Sequence, residues 1–359
     1  MFHEPEITVD QSQPNLNQPK SISKIIALWG FSEATLGGIL HAFNIPFTGL
    51  FVGGVAILLI SLIAYLSSDK SSIIKITLIV ITIKGVVSPH TPLTAYFAVF
   101  LQGVTAQLIF NLVKNIRLAS LIFGIVAMLL SGLQKLIILT LVFGNTLWDS
   151  IDIYSSFVVN EIFSGNESQT TYSFSLMIMG FYVGIHLVAG IFFGYIAGKL
   201  PRWIDETQKS DNYLSLLNEI EVIKNNHNGK KKRKSWWKKK SGIIFILMMT
   251  AMLILSYLYP EFGKGNVSKV AVMILRSTII MVVWFFLLGP VLIKAFHKYL
   301  HKQQKSYSAE ITGIIELFPY IRSIVKSSWE SAKTLKGSKK YKKFINTTII
   351  LLLLLDSSS

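Results

Sequence analysis

Apolar residues along the chain gather into blocks of about twenty, separated by short polar stretches. Blocks of that length cross a hydrocarbon core of ~30 Å as helices. Eight spans are predicted, at about 23–43, 50–67, 71–88, 93–113, 118–143, 172–198, 242–259 and 270–296. The fold class that follows is all-α: a polytopic membrane protein with a six-helix bundle, two further spans and cytoplasmic amphipathic helices. Between the fifth and sixth spans, Trp148, Ile151, Tyr154, Phe157 and Val158 suit a helix lying at the membrane interface. After the last span, Ile311, Ile314, Ile315, Leu317, Phe318, Ile321, Ile324 and Val325 recur with helical period, and such a face needs a partner surface. The terminal FINTTIILLLLL is short for a span, so it lies at the interface or packs against protein.

Polar composition divides the chain into four parts. Residues 1–21 are Pro/Asn/Gln-rich and read as a flexible cytoplasmic tail, 22–199 form the six-helix membrane domain, 200–241 a basic cytoplasmic linker, and 242–359 a two-helix membrane segment with cytoplasmic helices. Within the linker, GKKKRKSWWKKK has the make-up of a juxtamembrane anchor, its lysines near lipid phosphates and its indoles at headgroup level.

Composition sharpens this picture. Hydrophobic residues make up 51% and charged residues 15%, with a mean hydropathy of +0.51, unlike a soluble enzyme. A net charge of +16 would fit nucleic acid if position were ignored. Threaded with the N-terminus inside, however, thirty of the 35 Lys and Arg residues fall on inner segments. That distribution predicts a multi-pass cell-membrane protein with both termini cytoplasmic, touching anionic inner-leaflet lipid and no nucleic acid. With no cysteine, disulfides, thiolate metal sites and a cysteine nucleophile are excluded.

Ionisable groups inside a membrane cost of order 3 kcal/mol each, so those present are candidates for a site or for a structural pair. Glu33, Lys84, Lys135 and His186 fall within about 8 Å of one another in predicted depth, with Gln102, Gln107 and Gln134 at comparable levels. His41 and His90 sit nearer the outer mouth. A shared outward cavity with two lysines against one glutamate suits a small, anionic ligand. The bland alternative is that Glu33 pairs with Lys84 or Lys135 only to neutralise buried charge. The histidines differ too much in depth to form a metal set, no cofactor motif stands out, and no nucleophile or paired-carboxylate arrangement points to an enzyme. On the first helix, Gly30, Ala34 and Gly38 make a small-residue stripe that lets another helix approach.

The first two hundred residues, with six short helices, inner termini and HAFNIPFTGLFVGG joining the first two, resemble the substrate-capture (S) components of energy-coupling-factor vitamin transporters. The resemblance implies that the Gly30, Ala34, Gly38 stripe docks on a membrane-embedded T component. The second half is similar to a shortened T component, in which Ile321-Arg322-Ser323 would meet separate ATPase subunits at Arg322. It further implies uptake of a vitamin-like solute through Glu33, His41, Lys84, His90, Gln102, Lys135 and His186. From another class, the competing expectation is a membrane scaffold that recruits lipids or partner chains through its basic cytoplasmic segments.

Overall fold

The computed structural model describes residues 19–42, 48–67, 69, 72–88, 91–163, 173–208 and 267–354. Among them every regular element is helical: α1 (Pro19–Ala42), α2 (Thr48–Leu66), α3 (Ser72–Val87), α4 (Leu93–Leu112), α5 (Ile116–Phe143), α6 (Thr146–Phe163), α7 (Phe174–Gln208), α8 (Val267–Val283), a π-helical turn (Trp284–Leu288), α9 (Gly289–Ser306), α10 (Ser308–Glu316), α11 (Phe318–Ala332) and α12 (Gly337–Leu354). Five stretches among the described residues are long and apolar enough to cross a membrane: Gly49–Leu66, Leu93–Leu112, Ile116–Phe143, Phe174–Glu206 and Leu275–Ser306. The predicted span at 23–43 forms α1, which is helical throughout but carries Lys20, Lys24 and Glu33. The one at 71–88 forms α3, only 16 residues long. The predicted span 242–259, the GKKKRKSWWKKK anchor and the 1–18 tail lie outside the described residues.

The chain divides into two compact units, the first made from 1–134, 182–226 and 291–359, the second from 135–181 and 227–290. In the first, α1 is the central helix. Ile25, Ile26, Ala27, Leu28 and Trp29 are all buried, so every side of the helix is covered at that level. Packed around it are α2, α3 and the three C-terminal helices α10, α11 and α12. The ring of Phe31 meets that of Phe318 edge-on at 5.4 Å.

The amphipathic C-terminal helices find their partner surface within the first unit. Leu300 seats against Gly85, Phe296 stacks on Tyr96 at 4.8 Å, and Lys75 reaches Glu310 at 3.3 Å. Residues 296–310 therefore run antiparallel along α3 rather than past its end. The physical reason is apolar cover. Helices α1 and α3 have more apolar surface than their other neighbours enclose, and the stripe of Ile311, Ile314, Ile321 and Ile324 supplies the missing side. Of the two options for the terminal apolar run, packing against protein is the one realised: Ile349 to Leu353 are all buried, and α12 lies on α11 and α1.

Close backbone contact also joins α5 to α7. A Cβ on Gly124 would lie 2.5 Å from the Gly190 carbonyl oxygen, and one on Gly194 2.8 Å from that of Ser120. Only glycine permits this approach.

The second unit is held by polar caps. A helix, α6, is present within 144–171 as expected. Its Asp152 caps the start of α7: Oδ1 accepts from the Ser175 backbone N–H at 2.6 Å, and Oδ2 from the hydroxyls of Ser175 at 2.8 Å and Ser173 at 3.1 Å. Partial burial pushes the Asp152 carboxyl up, but these donors outweigh it and hold its pKa below the ordinary aspartate value. Helix α5 ends at Gly144, whose φ of 74° is the left-handed conformation glycine adopts without strain. Arg276 from α8 donates there to the Leu141 carbonyl at 3.4 Å. The π-helical turn precedes Gly289 and Pro290, where proline lacks the N–H that an α-helical bond would use.

Candidate functional site

The site is built on one face of α1. Gly30, Glu33 and Gly37 lie three and four residues apart, hence on the same side of the helix. That side faces α3: a Cβ on Gly30 would come within 3.2 Å of Ile83, and one on Gly37 within 3.9 Å of the Lys84 ammonium. The two glycines bring the backbones close enough for Lys84 Nζ to donate to Glu33 Oε2 at 2.7 Å. Both side chains are almost fully enclosed, 3% and 2% exposed. The Lys84 ammonium also lies 5.9 Å from the centre of the Tyr96 ring on α4, and the Tyr96 hydroxyl donates to the Ser88 carbonyl at 3.3 Å.

At this separation and burial the pair is a charge-assisted hydrogen bond screened from water. Desolvating the two ions is costly, and their attraction offsets that cost only while both are present. The net charge of the pair is zero.

Other polar residues singled out in the sequence are distributed among separate helix interfaces. Gln102, on α4, is 8% exposed and abuts α2 at Gly53, with its Oε1 buried and without a hydrogen-bond partner among the described residues. It lies six residues, about 9 Å of helix, further along α4 than Tyr96. A cavity of about 10 Å³ beside it, also lined by Ser131 and Gln134, has room for one water. Gln107 accepts from the Ile74 backbone N–H at 3.3 Å, tying α4 to α3. His186 is 1% exposed and packs on Gly132 of α5, while its Nδ1 donates to the Tyr182 carbonyl at 2.8 Å. Because a carbonyl only accepts, the proton sits on Nδ1.

Lys135 is exposed and belongs to the second unit. His90 and the side chain of His41 lie outside the described residues. Gly30 is occupied by α3 and Ala34 is buried; Gly38 continues α1, its surroundings outside the described residues. Arg322 is exposed on α11, next to buried Ile321. Among the described residues no three His, Asp or Glu side chains gather as a metal site.

Two features escaped the sequence reading. Lys24, counted there with the inner loops, is buried in α1, and its place between Ile22 and Ile25 was the available signal. The second is Gly190, Gly194 and Gly198 of α7, spaced every four residues, the pattern of close helix packing. No family model, no curated protein and no solved structure matches this chain.

Proposed function

We propose that the chain is a membrane transport component that captures a small, vitamin-like solute within its first unit. The reading is carried by one observation: a carboxylate and an ammonium, 2.7 Å apart, kept inside largely apolar helices. Ionisable groups at such a position are retained against their desolvation cost, most often for a ligand or ion path. Since the pair is neutral, the solute is a polar or zwitterionic molecule whose own carboxylate or amine exchanges with Glu33 or Lys84, rather than a simple anion. Uptake is driven by separate ATPase subunits, which contact exposed Arg322, and the protein sits in the cell membrane with both termini cytoplasmic. A second reading, a scaffold gathering anionic lipids or partner chains, is favoured by the cluster of Arg117, Lys199 and Arg202.

The deciding experiment is small-molecule mass spectrometry on the purified full-length protein, alongside Glu33→Gln, Lys84→Met and the charge exchange Glu33→Lys with Lys84→Glu. The wild type should carry a copurified polar solute that both single variants lose. The exchanged pair should recover thermal stability without recovering the solute. Recovery of both, or a wild type that carries nothing, would reduce the pair to a structural tie.

A further inference from the structure

A second cavity, of about 530 Å³, opens where the α4–α5 turn meets the end of α7. Its walls include Arg117, Leu118, Tyr195, Lys199, Arg202 and Trp203. We propose that this cavity binds the headgroup of an anionic phospholipid, with the phosphate between Arg117 and Arg202 and the acyl chains along α7. The proposal needs only that the helices lie in a membrane and does not depend on the transport reading.

Three observations converge on a lipid. The first is charge. Arg117, Lys199 and Arg202 face Glu206 as the one carboxylate of the lining, which leaves two net positive charges. Glu206 is engaged by Arg202 at 2.6 Å in an exposed pair, whereas Arg117 has no carboxylate partner among the described residues. Arginine forks match phosphate oxygens in pairs.

The second is the order of residue types along one face of α7. Val188, Ile191, Phe192 and Tyr195 are exposed, and Lys199 and Arg202 continue the same face. Over about 21 Å of helix the surface thus changes from aliphatic to aromatic to basic, as the bilayer does from acyl chain to interface to phosphate. A free phosphate ion would have no use for the apolar part.

The third is a preset aromatic wall. Lys199 donates to the Tyr195 hydroxyl and its ammonium lies 4.1 Å from that ring centre, while Lys342 of α12 sits 5.0 Å from the centre of the Trp203 ring. Gly198 on α7 lets Arg117 approach, since a Cβ there would be 3.1 Å from the Arg117 Cα. The cationic ends of α5 and α7 are held together by this contact. Asn115 Oδ1 already caps the Arg117 and Leu118 backbone N–H groups, so the arginine side chain rather than the helix end meets the ligand. By the distribution of lysine and arginine along the chain, this end of the bundle is the cytoplasmic one, where anionic lipid is concentrated.

The test is native mass spectrometry of the full-length protein in micelles supplied with equal phosphatidylglycerol and phosphatidylcholine. Wild type should retain phosphatidylglycerol about fivefold better, in keeping with the gain per cation near an anionic surface. Arg117→Gln with Arg202→Gln should abolish the preference, and Lys326→Gln, an exposed lysine on α11, should leave it intact. Arg117→Lys with Arg202→Lys should fall between, because charge remains but the fork is lost. Equal retention of the two lipids by wild type would overturn the proposal without any variant. So would an undiminished preference in the double glutamine variant, or full displacement by millimolar inorganic phosphate, which would make the ligand a free anion.

Discussion

Glu33–Lys84 and Arg202–Glu206 are two ion pairs of nearly equal length in the same unit, 2.7 and 2.6 Å, and they hold opposite meanings. The first is 3% and 2% exposed; the second, one turn of α7 apart, is 67% and 58% exposed. Water screens the exposed pair and can replace either partner, so forming it changes little. Nothing replaces a partner in the buried pair, so its loss leaves a bare charge in an apolar bundle. Separation alone therefore says nothing of what a pair does. Burial decides whether it is a tie that cannot be broken without stranding a charge, as between α1 and α3, or a loose surface contact that water can replace, as on α7.

That contrast can be broken most directly at the buried pair. Glu33→Ala or Lys84→Ala should each cost about 3–5 kcal/mol in denaturant unfolding of the micellar protein. Glu33→Leu combined with Lys84→Met should restore most of that stability, since two apolar groups leave no stranded charge. If the single variants cost less than the surface pair does, the enclosure of Glu33 and Lys84 is wrong.

Gly194→Val comes next, at roughly 1–3 kcal/mol, because its side chain must displace the Ser120 carbonyl 2.8 Å away. The same variant should weaken phosphatidylglycerol retention by prising α5 from α7, which links the surface cluster to the packing beneath it.

Asp152→Ala should lower stability by about 1 kcal/mol, the worth of a helix cap, read from the melting temperature. Acid should do the same to the wild type. The Asp152 carboxyl titrates lower in the folded protein than in the unfolded chain, so its contribution is full above the ordinary aspartate pKa and is lost as pH falls through the lowered value. Melting curves between neutral and strongly acidic pH should show this decline in wild type and a smaller one in Asp152→Ala.

Smallest of all is Glu206→Ala, below about 0.5 kcal/mol. It should nonetheless raise phosphatidylglycerol retention by freeing Arg202, so stability and binding move independently at the surface.

Much of this protein is written in local pattern. Within the described residues, the apolar blocks, the amphipathic period of Ile311 to Val325 and the helix around Trp148 reappear as helices, because hydropathy and periodicity act over one or two turns. Glu33 and Lys84 were also legible as buried charges, each being a lone ion in an apolar run. Which lysine answers Glu33 was not. Lys84 and Lys135 were equal candidates by depth, and the choice came from Gly30 and Gly37 turning the Glu33 face toward α3.

By itself, then, the amino-acid order determined that the chain is helical, that several of its helices suit a bilayer, and which side chains would be expensive to bury. Only the tertiary structure decided that α10, α11 and α12 enclose α1, that Gln102 and His186 occupy different interfaces, and that Arg117 meets Arg202 beside one cavity. Helix formation is governed by neighbours within a few residues. Partner choice depends on which faces of distant helices meet, and that is settled by the whole bundle covering its apolar surface at once.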